Sequence, residues 1–191
     1  DLYYTLGIAE DGRVQKIVVN DKQGGEKNVS MNIYVIEREL LMDQIRQAYV
    51  NGLTYFERDI ISPQLDKLVV KAYRHDGYYA RILDLNTYFA ENMKMLKEEN
   101  VNALFAPSPI YTKIRDDNPT RYAVGSHVKN VMAADGCVIE GEVENSILFR
   151  GVKIGKGAKV RNCVLMQDTV IETGATVEHA ITDKNVRISS Y

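Results

Sequence analysis

Chemistry in this chain would have to come from three histidines, two cysteines, a group of cations and scattered carboxylates. His75, His127 and His179 are too dispersed for a metal-ligand pattern. An imidazole at a subunit interface could instead act as a general base, and His127 and His179 are the candidates for that role. Cys137 and Cys163 form no CxxC pair and read as small buried residues of a reducing compartment. Lys113, Arg115, Arg121 and Lys129, with Arg74 or Arg81 as further members, could fork onto a phosphate. The competing reading is solvated charge beside Asp116 and Asp117. Gly24 and Gly25 lie in the polar stretch Asp21-Lys22-Gln23-Gly24-Gly25-Glu26-Lys27-Asn28. It lacks the strand-to-helix setting of a phosphate-cradling loop and reads as a hairpin turn.

The elements that position these groups must be built from 191 residues, enough for one large domain or two small ones. A hydrophobic content of 45% and a charged content of 26% are ordinary for a globular protein. A formal charge of -2 gives no global field towards nucleic acid or an anionic membrane. No apolar run approaches the ~20 residues of a membrane helix, and no signal peptide opens the sequence. The expectation is a cytoplasmic protein with neither nucleic acid nor membrane as partner. Asp1 leads straight into Leu2-Tyr3-Tyr4-Thr5-Leu6, so the chain is expected to start inside a domain.

The last third repeats. Ile154-Gly155-Lys156-Gly157-Ala158 returns as Ile171-Glu172-Thr173-Gly174-Ala175, Val160 returns as Val177, and Val164 as Ile181. Ile154, Ile171 and Ile188 fall at a constant spacing of 17 residues. Aliphatics that recur about every six residues, each followed by glycine and then a small residue, describe short strands joined by tight corners. Three such hexads close one triangular coil, and coils stack through parallel backbone hydrogen bonds. The expected object is a left-handed parallel β-helix of hexapeptide repeats over 123–191, with roughly four coils. A cap is expected beyond Ile188, or a continuation of the chain.

Residues 101–122 read as a linker, because Pro107, Pro109 and Pro119 exclude a long helix. Residues 1–100 alternate strand and helix signals and read as part of an α/β domain. Strands are expected at 13–19, 29–36 and 69–73. Helices are expected from Glu37, over 56–68, and after Asp84 or Asn86 as N-cap.

Several short motifs, in order, resemble glucose-1-phosphate adenylyltransferase. Val29-Ser30-Met31-Asn32-Ile33-Tyr34-Val35 is similar to that family's S-M-G-I-Y-V-F strand, and Arg58-Asp59-Ile60-Ile61 to its K-D-I-I-P segment. Gly77-Tyr78-Tyr79 followed by Thr87-Tyr88-Phe89-Ala90-Glu91-Asn92-Met93 resembles G-Y-W and S-Y-W-E-A-N-M. The resemblance implies a Rossmann-like nucleotidyltransferase domain, of which 1–100 is the C-terminal part, ahead of the β-helix. It also implies a parent reaction in which ATP and glucose 1-phosphate become ADP-glucose and pyrophosphate for glycogen synthesis, with Mg2+ neutralising phosphates.

The departures from the family pattern are informative. The Gly-rich nucleotide loop is absent. The family's Glu-Lys-Pro becomes Asp21-Lys22-Gln23. Its metal-binding aspartate aligns with Arg81, and a guanidinium cannot coordinate magnesium. This pattern resembles the catalytically degenerate regulatory subunit of the family. It implies no catalytic residue and no cofactor in this chain, and as partner a catalytic adenylyltransferase subunit in a hetero- or homo-oligomer. Vestigial sugar-phosphate contacts would fall on Lys22, Ser30 and Asp59, whose bland alternatives are a turn lysine, a strand serine and a helix-entry aspartate. An anionic metabolite effector would fall on Lys113, Arg115, Arg121 and Lys129. The alternatives are a hexapeptide acyltransferase using an interface histidine, a purely oligomerising module, and a catalytic sugar-phosphate nucleotidyltransferase.

Overall fold

The computed structural model describes residues 3–112 and 115–190. The chain forms two compact units, Asp1–Asp76 and Gly77–Tyr191.

In the first unit, β1 (Tyr4–Ile8) pairs antiparallel with β2 (Val14–Val19), and β3 (Asn28–Val29) adds to the other edge of β1. A 14-residue helix, α1 (Arg38–Asn51), ends at Gly52, whose left-handed backbone (φ 64°) closes the last turn. A π-helical turn (Phe56–Ile61) and a short 3-10 turn (Ser62–Gln64) follow. The expected helix over 56–68 is broken there, because Pro63 has no N–H to continue an α ladder. Gln64 donates to Gln44 (2.6 Å) and to the Ile60 carbonyl (2.9 Å), tying the turn to α1. Tyr4, Val14, Ala48, Ile60 and Ile61 form the small core.

Two expected strands are shorter than the pattern implied. β3 stops at Val29, and Asn32 turns left-handed (φ 56°) where Val29–Ile36 should run straight. Ile33 and Val35 are exposed, so the alternation has no sheet neighbour to bury it. Segment 69–73 contributes a single antiparallel bridge, Lys71 to Arg13.

The second unit opens with α2 (Leu85–Lys94). Asp84 is the N-cap, as one of the two candidates required. Its Oδ1 accepts from the Thr87 N–H (2.7 Å), and the Thr87 hydroxyl accepts from the Asp84 N–H (2.9 Å), a complete capping box. α3 (Glu98–Phe105) follows, so the first part of 101–122 is helical, and Pro107 comes just beyond its end.

The remainder is a parallel β-solenoid of about four turns with three faces. One face stacks β4 (Arg121–Tyr122), then β6 (Val138–Ile139), β8 (Lys153–Ile154), β11 (Val170–Ile171) and β14 (Arg187–Ile188). The long strands β5 (His127–Ala133) and β7 (Glu142–Leu148) bend across the other two faces. Their first halves align with β9 (Lys159–Arg161) and β12 (Thr176–Glu178). Their second halves align with β10 (Val164–Leu165) and β13 (Ile181–Thr182).

The repeat read from the sequence is the stacking register. Ile154, Ile171 and Ile188 are direct partners, as are Val143, Val160 and Val177. Ile139, Ile154 and Ile171 are fully buried, and Ala158 and Ala175 fill the crowded corner. Each buried aliphatic contributes about 1.5–3 kcal/mol. Cys137 and Cys163 are buried free thiols, and burial raises the pKa of both. Stacked Asn130, Asn145, Asn162 and His179 all take a left-handed backbone (φ 45–52°) at one corner. Asn130 donates to Asn145 (2.8 Å), and His179 contacts Asn162 (3.4 Å).

One corner departs from the 17-residue period. Tyr122 pairs with Ile139, 17 residues on, but His127 pairs with Glu142, only 15 on. Two residues are missing between Ile139 and Glu142. The shortcut runs through Gly141, where an added Cβ would lie 2.4 Å from the Ala158 carbonyl oxygen.

Candidate functional site

Ser30 follows β3 directly. Its N–H donates to the Tyr4 carbonyl (2.9 Å), which holds the residue beside β1. Its hydroxyl donates to Glu57 Oε1 (2.5 Å), a residue 27 positions on, in the π-helical turn. Glu57 is only 4% exposed, and its Oε2 is buried without a hydrogen-bond partner. Tyr34 lies against the same group, with its ring edge on Phe56 at a centroid distance of 5.1 Å. Burial raises the Tyr34 phenol pKa, and the hydrogen bond and negative charge of Glu57 raise it further. A buried carboxylate, a serine hydroxyl and a half-buried phenol therefore meet in one polar cluster. Among them no cation balances Glu57.

Asp59 is two residues away and faces other partners. Its Oδ2 accepts from the Thr54 (3.2 Å) and Tyr55 (3.0 Å) N–H groups, and Arg58 pairs with it through Nε (2.5 Å). Arg58 and these N–H groups hold its pKa well below the usual carboxylate range. Asp59 is thus a local cap whose lone pairs are used within its own turn. Arg58 also lies over the Tyr55 ring (4.2 Å). Lys22 is exposed in the loop after β2, and it is Lys27 that pairs with Asp21 (3.2 Å). Of Lys22, Ser30 and Asp59, only Ser30 enters the polar cluster. Sequence reasoning passed over Glu57 and Tyr34. The available signal was a charged residue inside the apolar frame Tyr55-Phe56 and Ile60-Ile61.

The basic group is spread out. Lys113 lies outside the described residues. Arg115 pairs with Asp117 (3.1 Å), Arg121 with Glu140 (3.2 Å) and Lys129 with Glu144 (3.3 Å). Arg121 stands on β4 and Lys129 on β5, on different faces of one coil. Arg74 pairs with Asp76 (2.6 Å) in the first unit. Lys129, Glu144, Arg161 and Glu178 form a column of alternating charge across four coils. His127 is exposed at the start of β5, and His179 serves as a left-handed corner residue. Among the described residues no group of three His, Cys, Asp or Glu side chains could hold a metal ion. None of the described helices is long and apolar enough to cross a membrane.

Known proteins match both the solenoid and most of the chain's length. Residues 113–191 match the family model described as GlmU-like, C-terminal hexapeptide. The chain is 39% identical over 160 residues to the glycogen biosynthesis protein GlgD of Bacillus subtilis, covering 83% of this chain and 46% of that protein. It is 43% identical over 132 residues to GlgD of Geobacillus stearothermophilus, covering 69% and 38%. It is 34% identical over 179 residues to glucose-1-phosphate adenylyltransferase of Clostridium perfringens (strain 13), covering 87% and 44%. The chain spans less than half the length of these relatives. By sequence, and by the hexapeptide solenoid, the chain is a member of the family that contains GlgD and glucose-1-phosphate adenylyltransferase, matching the C-terminal part of those proteins.

Proposed function

We propose that this chain is the C-terminal part of a regulatory, non-catalytic subunit of glucose-1-phosphate adenylyltransferase in bacterial glycogen synthesis. The observation that carries the reading is Arg81, which, by the motif resemblance, takes the place of the family's metal-binding aspartate. A cation there repels magnesium. The nearest carboxylate in sequence, Asp84, is committed to capping α2 through Thr87. The residues present do not fit a magnesium ion, so no step of adenylyl transfer is assigned to them. Magnesium and nucleotide chemistry belong, in this proposal, to a catalytic partner subunit.

The 39% identity to GlgD, named for glycogen biosynthesis, supports the pathway. The finer reading of the fold is a nucleotidyltransferase-domain remnant followed by a left-handed β-helix that docks subunits in the cytoplasm. An anionic metabolite would act through Arg115, Arg121 or Lys129, exchanging their carboxylate partners for phosphate. The acyltransferase alternative lacks support in the solenoid, where connections between successive described strands are four residues or fewer and extrude no loop.

The test mixes the full-length protein with a catalytic adenylyltransferase subunit, following complex formation by light scattering and pyrophosphate release in the same samples. A stable hetero-oligomer with altered turnover, and no turnover by this protein alone, is expected. Robust turnover by this protein alone would overturn the proposal.

A further inference from the structure

We propose that Glu57 is a specificity-determining residue that closes the Ser30 cluster to phosphorylated sugars. This rests on the regulatory-subunit reading, because it supposes that Ser30 keeps the place of a family sugar-phosphate contact.

First, the Ser30 hydroxyl is already engaged. It donates to Glu57 Oε1 at 2.5 Å, so a ligand that needs this donor must displace a charge-assisted bond. Second, the local charge has the wrong sign. Glu57 is a 4%-exposed acid, and the cation next to it in sequence, Arg58, is turned to Asp59 at 2.5 Å. An incoming phosphate would face an unbalanced carboxylate where water screens poorly. Third, Glu57 Oε2 lacks any donor. Leaving a buried carboxylate oxygen unpaired is costly, and native structures keep such groups rarely. An exclusion device accounts for an acid whose second oxygen gives the fold no compensating hydrogen bond. Tyr34 lies beside the same carboxylate: burial first, then its hydrogen bond and charge interaction with Glu57, raise the phenol pKa.

The experiment is calorimetric titration of glucose 1-phosphate into the full-length protein without a catalytic subunit. The forms compared are wild type, Glu57→Gln, Glu57→Ala and Glu57→Ala/Ser30→Ala. Glucose and inorganic phosphate, titrated separately, show which half of the ligand is recognised. Wild type is expected to give no saturable heat. Glu57→Gln, which removes only the charge, and Glu57→Ala, which also frees Ser30, are expected to bind at least tenfold more tightly than wild type. Glu57→Ala should show the larger gain, and the double variant should lose it. Melting curves confirm that each variant is folded, and Glu57→Gln keeps the side-chain volume if Glu57→Ala does not fold. The proposal is overturned if wild type binds as tightly as the variants, if neither single variant gains affinity, or if the gain survives loss of Ser30. Failure to bind a catalytic subunit would sink the regulatory reading while leaving these titrations readable.

Discussion

Gly141→Ala should be among the most damaging single-methyl changes in the solenoid. The added Cβ would lie 2.4 Å from the Ala158 carbonyl oxygen, 2.7 Å from that of Gly155 and 3.1 Å from the Ala158 nitrogen. All three are backbone atoms, so no side chain can swing aside. Both oxygens are in use: Ala158 accepts from the Glu142 N–H (2.8 Å) and Gly155 from the Ala158 N–H (3.1 Å). Overpacking costs ~1–3 kcal/mol, and straining two hydrogen bonds adds about 1 kcal/mol each. A loss of ~3–5 kcal/mol corresponds to a fall in Tm of about 6–20 °C at this chain length. Gly157→Ala is the control. Nothing lies within 4 Å of its added Cβ, but φ is +70°. It carries only a left-handed backbone penalty of ~1–2 kcal/mol. Thermal and urea melts followed by circular dichroism compare the two. A Gly157→Ala loss equal to or greater than that of Gly141→Ala would refute the steric account of the shortened corner.

Ile171 is fully buried between Ile154 and Ile188, so Ile171→Ala should cost about 2–5 kcal/mol and lower the urea midpoint. Ser30→Ala removes a hydroxyl donor from the buried Glu57 carboxylate and should cost ~1–3 kcal/mol by the same melts; adding Glu57→Gln should recover part of the loss. The Thr87 backbone and side-chain bonds lower the Asp84 pKa, so this carboxylate stabilises the fold above its unfolded pKa near 4. That contribution disappears as pH falls through the depressed folded value, and Asp84→Asn should flatten the acid limb of the melting profile. Glu57→Gln should lower the Tyr34 titration midpoint, read as a phenolate difference against wild type by ultraviolet absorbance at alkaline pH.

The solenoid was legible because its side chains stack on copies of themselves. A 17-residue recurrence in sequence is then a direct contact in space, as for Ile154, Ile171 and Ile188. The α2 start was legible because an N-cap is a local device, completed within four residues by Asp84 and Thr87. Segment 29–36 misled because alternation records only that a strand could be buried. Asn32 and the exposure of Ile33 and Val35 show a strand without a second neighbour. The 15-residue coil was hidden because its deletion shortens the spacing from Ile139 to Val143 to four residues, against six from Ile154 to Val160, so its aliphatics fall out of the hexad frame. In the polar cluster, Ser30 belongs to a short motif visible in the sequence, whereas Glu57 acquires its meaning from a partner 27 residues away. No local pattern carries that pairing.

The shortened corner also bears on how the chain finds its native state. A stack of near-identical coils invites slippage, in which one turn docks on the wrong neighbour and almost every aliphatic still finds an aliphatic. The turn containing Gly141 is two residues shorter than its neighbours, so it fits in one place only. The column Lys129, Glu144, Arg161, Glu178 adds a second discrimination, because skipping a turn would set Glu144 against Glu178. Irregular length and alternating sign together act as a key cut into a repetitive lock, and they define a unique alignment for a sequence that otherwise resembles itself.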